Sequence, residues 1–144
     1  MKQSCLFCDD VESDATLIKE YELWTVYANY TQLTIGSVVI VLNRHEEQVS
    51  GVTIEEDIER HNITKDLETA IRSVWKHDYA NNFMLANKVR HIHYHFVPRY
   101  SDKREFAGRT WVDENFGSMP NIKESRKSQK VLDSIIEELQ KNLS

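Results

Sequence analysis

The chain has 144 residues, 40% of them hydrophobic, and a formal net charge of −5. That length and apolar content suffice for one domain over residues 1–144, with a real core and no need of a disulfide framework. The acidic balance argues against a broad grip on nucleic acid, and no apolar run approaches the roughly 20 residues that span a bilayer. With no signal-like stretch after Met1-Lys2-Gln3-Ser4-Cys5, a cytoplasmic protein with neither nucleic acid nor membrane as partner is expected.

In chain order, the first marked feature is Cys5-Leu6-Phe7-Cys8, which holds both cysteines of the chain. In a cytosolic protein such a pair is more often metal-binding or redox-active than a structural disulfide, and two merely buried thiols are the plain alternative. Leu17-Ile18-Lys19-Glu20 and Leu23 to Ala28 have the composition of short paired strands, and the β-branched run Val38-Val39-Ile40-Val41-Leu42 suits a buried one. These three are expected as antiparallel neighbours. Thr53-Ile54-Glu55-Glu56 has the spacing of a capping box, so a helix is expected from there to about Asp78. Its apolar face, Ile58, Ile63, Leu67, Ala70, Ile71 and Val74, would cover the sheet. Phe83-Met84-Leu85-Ala86 and His91 to Val97 read as two further strands, and Val131, Leu132, Ile135, Ile136, Leu139 and Leu143 mark a C-terminal amphipathic helix. Residues 100 to 127 show no clear period. The fold class is α+β: an antiparallel sheet of about five strands with a long helix packed on it and a helix at the C-terminus.

His91, His93 and His95 alternate with Ile92, Tyr94 and Phe96, so in a strand the three imidazoles share a face, each about 7 Å from the next. Burying three imidazoles without partners would cost several kcal/mol. They could be surface histidines on an exposed sheet face, a mononuclear metal cage, or a catalytic set in which a ring nitrogen attacks phosphorus while its neighbours orient it and protonate the leaving group.

Arg90-His91-Ile92-His93-Tyr94-His95-Phe96-Val97-Pro98-Arg99 resembles the signature of the histidine-triad family, three histidines separated by single, mostly hydrophobic residues. The likeness extends over roughly residues 4 to 100. It takes in Cys5-Leu6-Phe7-Cys8, an edge strand ending at Asn29, Gly36-Ser37 followed by Val38 to His45, and the long helix before the triad. The resemblance implies a homodimeric hydrolase of nucleoside phosphoramidates, dinucleoside polyphosphates or other nucleotidyl adducts, working through a covalent nucleotidyl-histidine. It places the nucleophile on His93 and assistance to the leaving group on His95. It also implies ribose contact by Asn29, phosphate contact by Asn87, and a structural zinc held by Cys5, Cys8, His45 and His91.

Two departures bear on the substrate. Ser37 stands where the family commonly has His, and the loop before the triad is cut to Lys88-Val89-Arg90, where Lys88 could replace the lost phosphate contacts as a cation. These departures keep a non-catalytic nucleotide-binding or scaffolding protein as the main alternative, with a metal-dependent hydrolase third. Trp111 and Phe116 are expected in ordinary core packing.

Overall fold

The computed structural model of the chain describes residues 5–9, 15–123 and 126–143; the opening residues 1–4 lie outside that range. Five strands form one sheet: β1 (Leu17–Glu20), β2 (Trp24–Ala28), β3 (Val38–Leu42), β4 (Tyr79–Phe83) and β5 (His93–Arg99). Their order is β1-β2-β3-β5-β4 and every neighbouring pair is antiparallel. β2 therefore lies inside the sheet, correcting its expected edge position, and the edges are β1 and β4. A short α1 (Leu6–Asp9) precedes the sheet, α2 (Ile54–Trp75) connects β3 to β4, and α3 (Gln129–Asn142) ends the fold.

Alternation along the strands gives each sheet face its character. Trp24, Val26, Val38, Ile40 and Phe96 are buried in one core with Ile63, Leu67 and Ile71 of α2 and Leu132, Ile135 and Leu139 of α3. Thr53 and Glu56 make the reciprocal capping box that starts α2. The helix stops at Trp75, short of Asp78, because Lys76 turns left-handed (φ 54°) and its N–H caps the Arg72 carbonyl. Ile58 points to solvent, off the face assigned to it.

The last two strands are each displaced from their expected place. β4 is Tyr79–Phe83, so only Phe83 of the expected Phe83–Ala86 strand belongs to it. Its sequence, Tyr-Ala-Asn-Asn-Phe, carries the polar residues an edge strand tolerates and so gives little strand signal, and the left-handed Ala86 (φ 49°) lies in the loop that follows. β5 begins at His93, leaving His91 just ahead of it, and runs through Pro98 to Arg99. The proline costs no ladder bond: Pro98 faces the β3 side, where pairing ends at Val38↔Phe96, and its carbonyl accepts the Thr34 hydroxyl. A Cβ on Gly36 (φ 91°) would lie 3.1 Å from the Trp75 ring, so both backbone and space call for glycine there.

The stretch without periodicity contains a hairpin, β6 (Arg104–Phe106) and β7 (Arg109–Trp111). Ala107 (φ 53°) and Gly108 (φ 70°) form its two-residue turn, both left-handed as a type I′ hairpin requires. Trp111 is buried in the core as expected, whereas Phe116 is 45% exposed and does not join it.

Candidate active site

The face of β5 opposite α2 and α3 carries His93 and His95. Their rings meet edge to face, with centroids 5.3 Å apart. β3 aligns Val41 with His93 and Val39 with His95, so apolar neighbours flank both imidazoles. His91, His93 and His95 are brought together as the alternation predicts, although His91 stands on the approach to the strand.

Two backbone carbonyls fix two of the rings. His91 Nε2 lies 2.7 Å from the Leu42 carbonyl and His93 Nδ1 lies 2.6 Å from the His91 carbonyl, and a carbonyl can only accept. His91 is therefore the Nε2–H tautomer with Nδ1 left as a lone pair. His93 is the reverse, with its Nε2 lone pair left over. Burial lowers the pKa of both; each carbonyl bond opposes that, and for His91 the charges of His45 and His93 add to the lowering. His95 is pushed down to about 4, by burial first and then by His93. All three are neutral near pH 7. His95 Nδ1 is buried without a partner among the described residues, while Phe83, its partner across β4, stacks on the ring at 5.2 Å.

Behind the triad, the free Nδ1 of His91 faces Cys5 Sγ at 3.3 Å, Cys8 Sγ at 3.5 Å and His45 Nδ1 at 3.2 Å, and Cys8 Sγ lies 3.2 Å from His45 Nδ1. All four ligand atoms fall within 4.8 Å of one another. A tetrahedral Cys₂His₂ zinc site, with Zn–N of about 2.0 Å and Zn–S of about 2.3 Å, has edges of roughly 3.3 Å between nitrogens and 3.5 Å between nitrogen and sulfur. The measured spacings fit those edges, so this cluster could hold a metal ion. The Leu42 carbonyl orients His91 from behind, as a partner beyond the ligand shell does in metal sites. Arg44, next to His45, is fixed by two 2.8 Å bonds to Glu56, so the cap of α2 also steadies a ligand-bearing loop.

The expected nucleotide contacts are less gathered. Asn29 follows β2, and its Oδ1 accepts the Thr31 N–H at 3.1 Å in an Asx turn. Asn87 and Lys88 are exposed on the loop between β4 and β5. Asn87 lines an open cleft of about 570 Å³ with Arg90, Met84, Glu47 and Ser50; Lys88 is not part of its wall. Arg90 is the lining residue nearest the triad in sequence, and none of the three triad histidines lines the cleft. Ser37 is wholly buried and its hydroxyl donates to the Thr34 carbonyl at 2.8 Å, so it serves the turn before β3.

Two aromatic residues of the site escaped the sequence reading. Phe7 lies 4.9 Å from the His93 ring and 5.6 Å from that of His91, and Phe83 stacks on His95. Phe7 had one signal, its position inside the cysteine pair; Phe83 had none beyond facing the same way as His95 once the register is known.

No protein-family model matches the chain, and no curated protein resembles its sequence closely enough to count as a match. Solved structures do match. A hypothetical histidine triad nucleotide-binding protein from Sulfolobus tokodaii superposes with a TM-score of 0.73 over 96% of this chain and 91% of its own, at 14% identity. The chain has the histidine-triad fold. A zinc-bound histidine triad family protein from Mycobacterium smegmatis gives 0.67 at 19% identity, over 96% of this chain and 94% of that one. A member of the same family from Bacillus subtilis gives 0.60 at 24% identity, over 69% and 75%. At such identities the agreement speaks for the histidine-triad fold, and the chemistry has to be argued from this chain's own side chains. Among the described residues, no helix is long and apolar enough to cross a membrane.

Proposed function

We propose that this protein is a cytoplasmic, single-domain hydrolase of nucleotide phosphate derivatives such as nucleoside phosphoramidates or dinucleoside polyphosphates, with His93 as its nucleophile. The observation that carries the reading is the 2.6 Å bond between His93 Nδ1 and the His91 carbonyl, which leaves Nε2 as a lone pair on a neutral ring. That nitrogen attacks phosphorus, the bond from phosphorus to the leaving group breaks, and His95 gives the departing atom a proton once the anionic substrate raises its affinity for one. Water then cleaves the phosphorus–nitrogen bond, freeing the nucleotide and restoring His93. Asn29 offers its Nδ2 to the ribose, and Asn87 and Lys88, with Arg90 beside them, offer polar and cationic groups to the phosphate.

Cys5, Cys8, His45 and His91 would hold zinc. With four protein ligands the ion has no open position, so when bound it supplies a cross-link between the N-terminal turn and the triad and no chemistry on the substrate. A homodimer through the outer edge of β4 is part of this reading, supported by the exposed Tyr79 on that edge strand; light scattering at micromolar concentration tests it.

One observation favours the non-catalytic alternative: the Ser37 hydroxyl is spent on its own turn, so among the described residues it gives the triad no hydrogen bond. Mass spectrometry after brief incubation with a panel of adenosine and guanosine phosphoramidates and dinucleoside polyphosphates separates the two. A nucleotidyl adduct on the His93 peptide is expected. His93→Ala should lose turnover by several orders of magnitude while still binding nucleotide. Wild-type rates from His93→Ala, with no adduct in the parent, would replace the enzyme by the binding protein.

A further inference from the structure

The turn that carries the two cysteines is tied to the body of the fold in an unusual way. Residues 5–9 join no sheet. Cys5 and Cys8 reach His91, Cys8 also reaches His45, and between them Phe7 lays its ring against His93. Leu6 beside it is 72% exposed, whereas Phe7 is half-buried, so the inward aromatic contact belongs to Phe7 alone. The same short segment thus touches the cluster and covers the ring proposed as nucleophile, which is itself only 7% exposed.

We propose that Cys5–Cys8 is a lid over His93, latched by the thiol–imidazole cluster and released when Cys5 and Cys8 are oxidised to a disulfide. The proposal rests on the nucleophile and metal readings above. The oxidant is a hydroperoxide. The exposed Cys8 sulfur attacks the peroxide, the oxygen–oxygen bond breaks, and with hydrogen peroxide one water leaves a sulfenic acid. The half-buried Cys5 sulfur then attacks Cys8, the sulfur–oxygen bond breaks and a second water leaves, so two thiols and one peroxide become one disulfide and two waters. A Cys-x-x-Cys spacing is compatible with that bond. Disulfide sulfur has neither the charge of a thiolate ligand nor a proton to donate, so His45 and His91 lose both partners. The two sulfurs must also close to about 2.05 Å, and Phe7, lying between them in sequence, moves with the turn.

The test uses the full chain, reduced and loaded with zinc, treated with one equivalent of hydrogen peroxide. Oxidation is followed by the loss of two hydrogens in the Cys5–Cys8 peptide and by zinc released to a chromogenic chelator. Access to His93 is followed by its rate of modification with diethyl pyrocarbonate at one slightly alkaline pH, with the exposed His61 as internal reference. We expect His93 to react several-fold faster after oxidation and to return to the slow rate after thiol reductant and zinc. Phe7→Ala, which keeps all four ligands, should react fast even when reduced, with unchanged zinc content and circular dichroism. An unchanged His93 rate on disulfide formation, or a wild-type rate in Phe7→Ala, overturns the lid. If the chain binds no zinc, the reduced and oxidised metal-free proteins give the same decision. Labelling needs no turnover, so an inactive protein with a working lid would fault only the enzyme reading. A His93 adduct that forms, and forms at the same rate before and after oxidation, would fault only the lid.

Discussion

Replacing Arg99 should unseat the segment between the hairpin and α3. The Arg99 and Asp113 side chains are 4% and 3% exposed and meet at 2.7 and 3.1 Å. The same guanidinium donates to Asn81 Oδ1 at 2.8 Å, the Asn115 carbonyl at 2.8 Å and the Ser118 carbonyl at 2.5 Å. Arg99→Met removes every one of these bonds and leaves the Asp113 carboxylate buried with, among the described residues, the Tyr100 N–H at 3.1 Å as its one remaining partner. Breaking one partner of a buried pair costs about 3–5 kcal/mol, a large share of the roughly 5–15 kcal/mol that holds a domain together. At about 2–4 °C per kcal/mol for a chain of this size, Tm should fall by roughly 10 °C. Adding Asp113→Asn to Arg99→Met removes the stranded charge, so the double variant should melt well above the sum of the two single losses. Calorimetry on the four proteins measures this. A Tm change within about 2 °C for Arg99→Met, or strict additivity, would refute the idea that this pair pins residues 113–118 to the sheet.

His77 is buried, neither of its ring nitrogens has a hydrogen-bond partner among the described residues, and burial lowers its pKa, with Arg72 adding to the lowering and Asp78 opposing it. The unfolded chain takes up this proton near pH 6.5 and the folded one only at lower pH, so stability is full above that value and lost as pH falls toward the folded pKa. His77→Leu should flatten the decline in urea midpoint between about pH 7 and 5; an unchanged slope removes the claim. Elemental analysis should find one zinc per chain, and Cys5→Ser should lower both zinc content and Tm, whereas full stability of chelator-stripped protein would argue against a structural metal. Asn29→Ala should raise KM for ribonucleotide substrates more than it lowers kcat; equal use of ribo- and 2′-deoxyribo-substrates by the parent would speak against the ribose contact.

Elements with strong local signals were legible in the sequence. The Thr53/Glu56 capping box sets where α2 begins, the β-branched run Val38–Leu42 is a central strand, and of the apolar residues expected to mark α3, Leu132, Ile135, Ile136, Leu139 and Leu143 are buried and Val131 partly so. β4 was misplaced because its residues answer to an edge position rather than to strand propensity, and Ile58 because the sheet-facing stripe of α2 begins further along the helix, at Ile63. Of the site residues, the two cysteines, His45 and the three triad histidines come together from segments far apart in sequence. Phe7 and Phe83 were out of reach because their roles depend on which ring each one meets. The Arg99 anchor was hidden for a similar reason: its partners fall in the aperiodic stretch, where sequence carries no register.

The alternating histidines look equivalent in the sequence, yet the fold gives each a different chemical condition. His91 donates to the Leu42 carbonyl, so its Nδ1 is turned to the thiols and to His45. Two residues on, the His91 carbonyl takes the Nδ1 proton of His93, and the lone pair moves to the opposite nitrogen. The backbone reverses the tautomer between neighbours, and one imidazole becomes a candidate ligand while the next becomes a candidate nucleophile. Among the described residues, none bonds the buried Nδ1 of His95, so they assign its proton to neither nitrogen. A group meant to hand over a proton gains from that freedom, because shifting the proton between ring nitrogens breaks no bond to the fold. A bound phosphate can then set the tautomer itself, and its negative charge opposes the burial that otherwise keeps this ring neutral. In the proposed reaction the first two histidines are fixed by the chain before substrate arrives, and the third is fixed by the substrate.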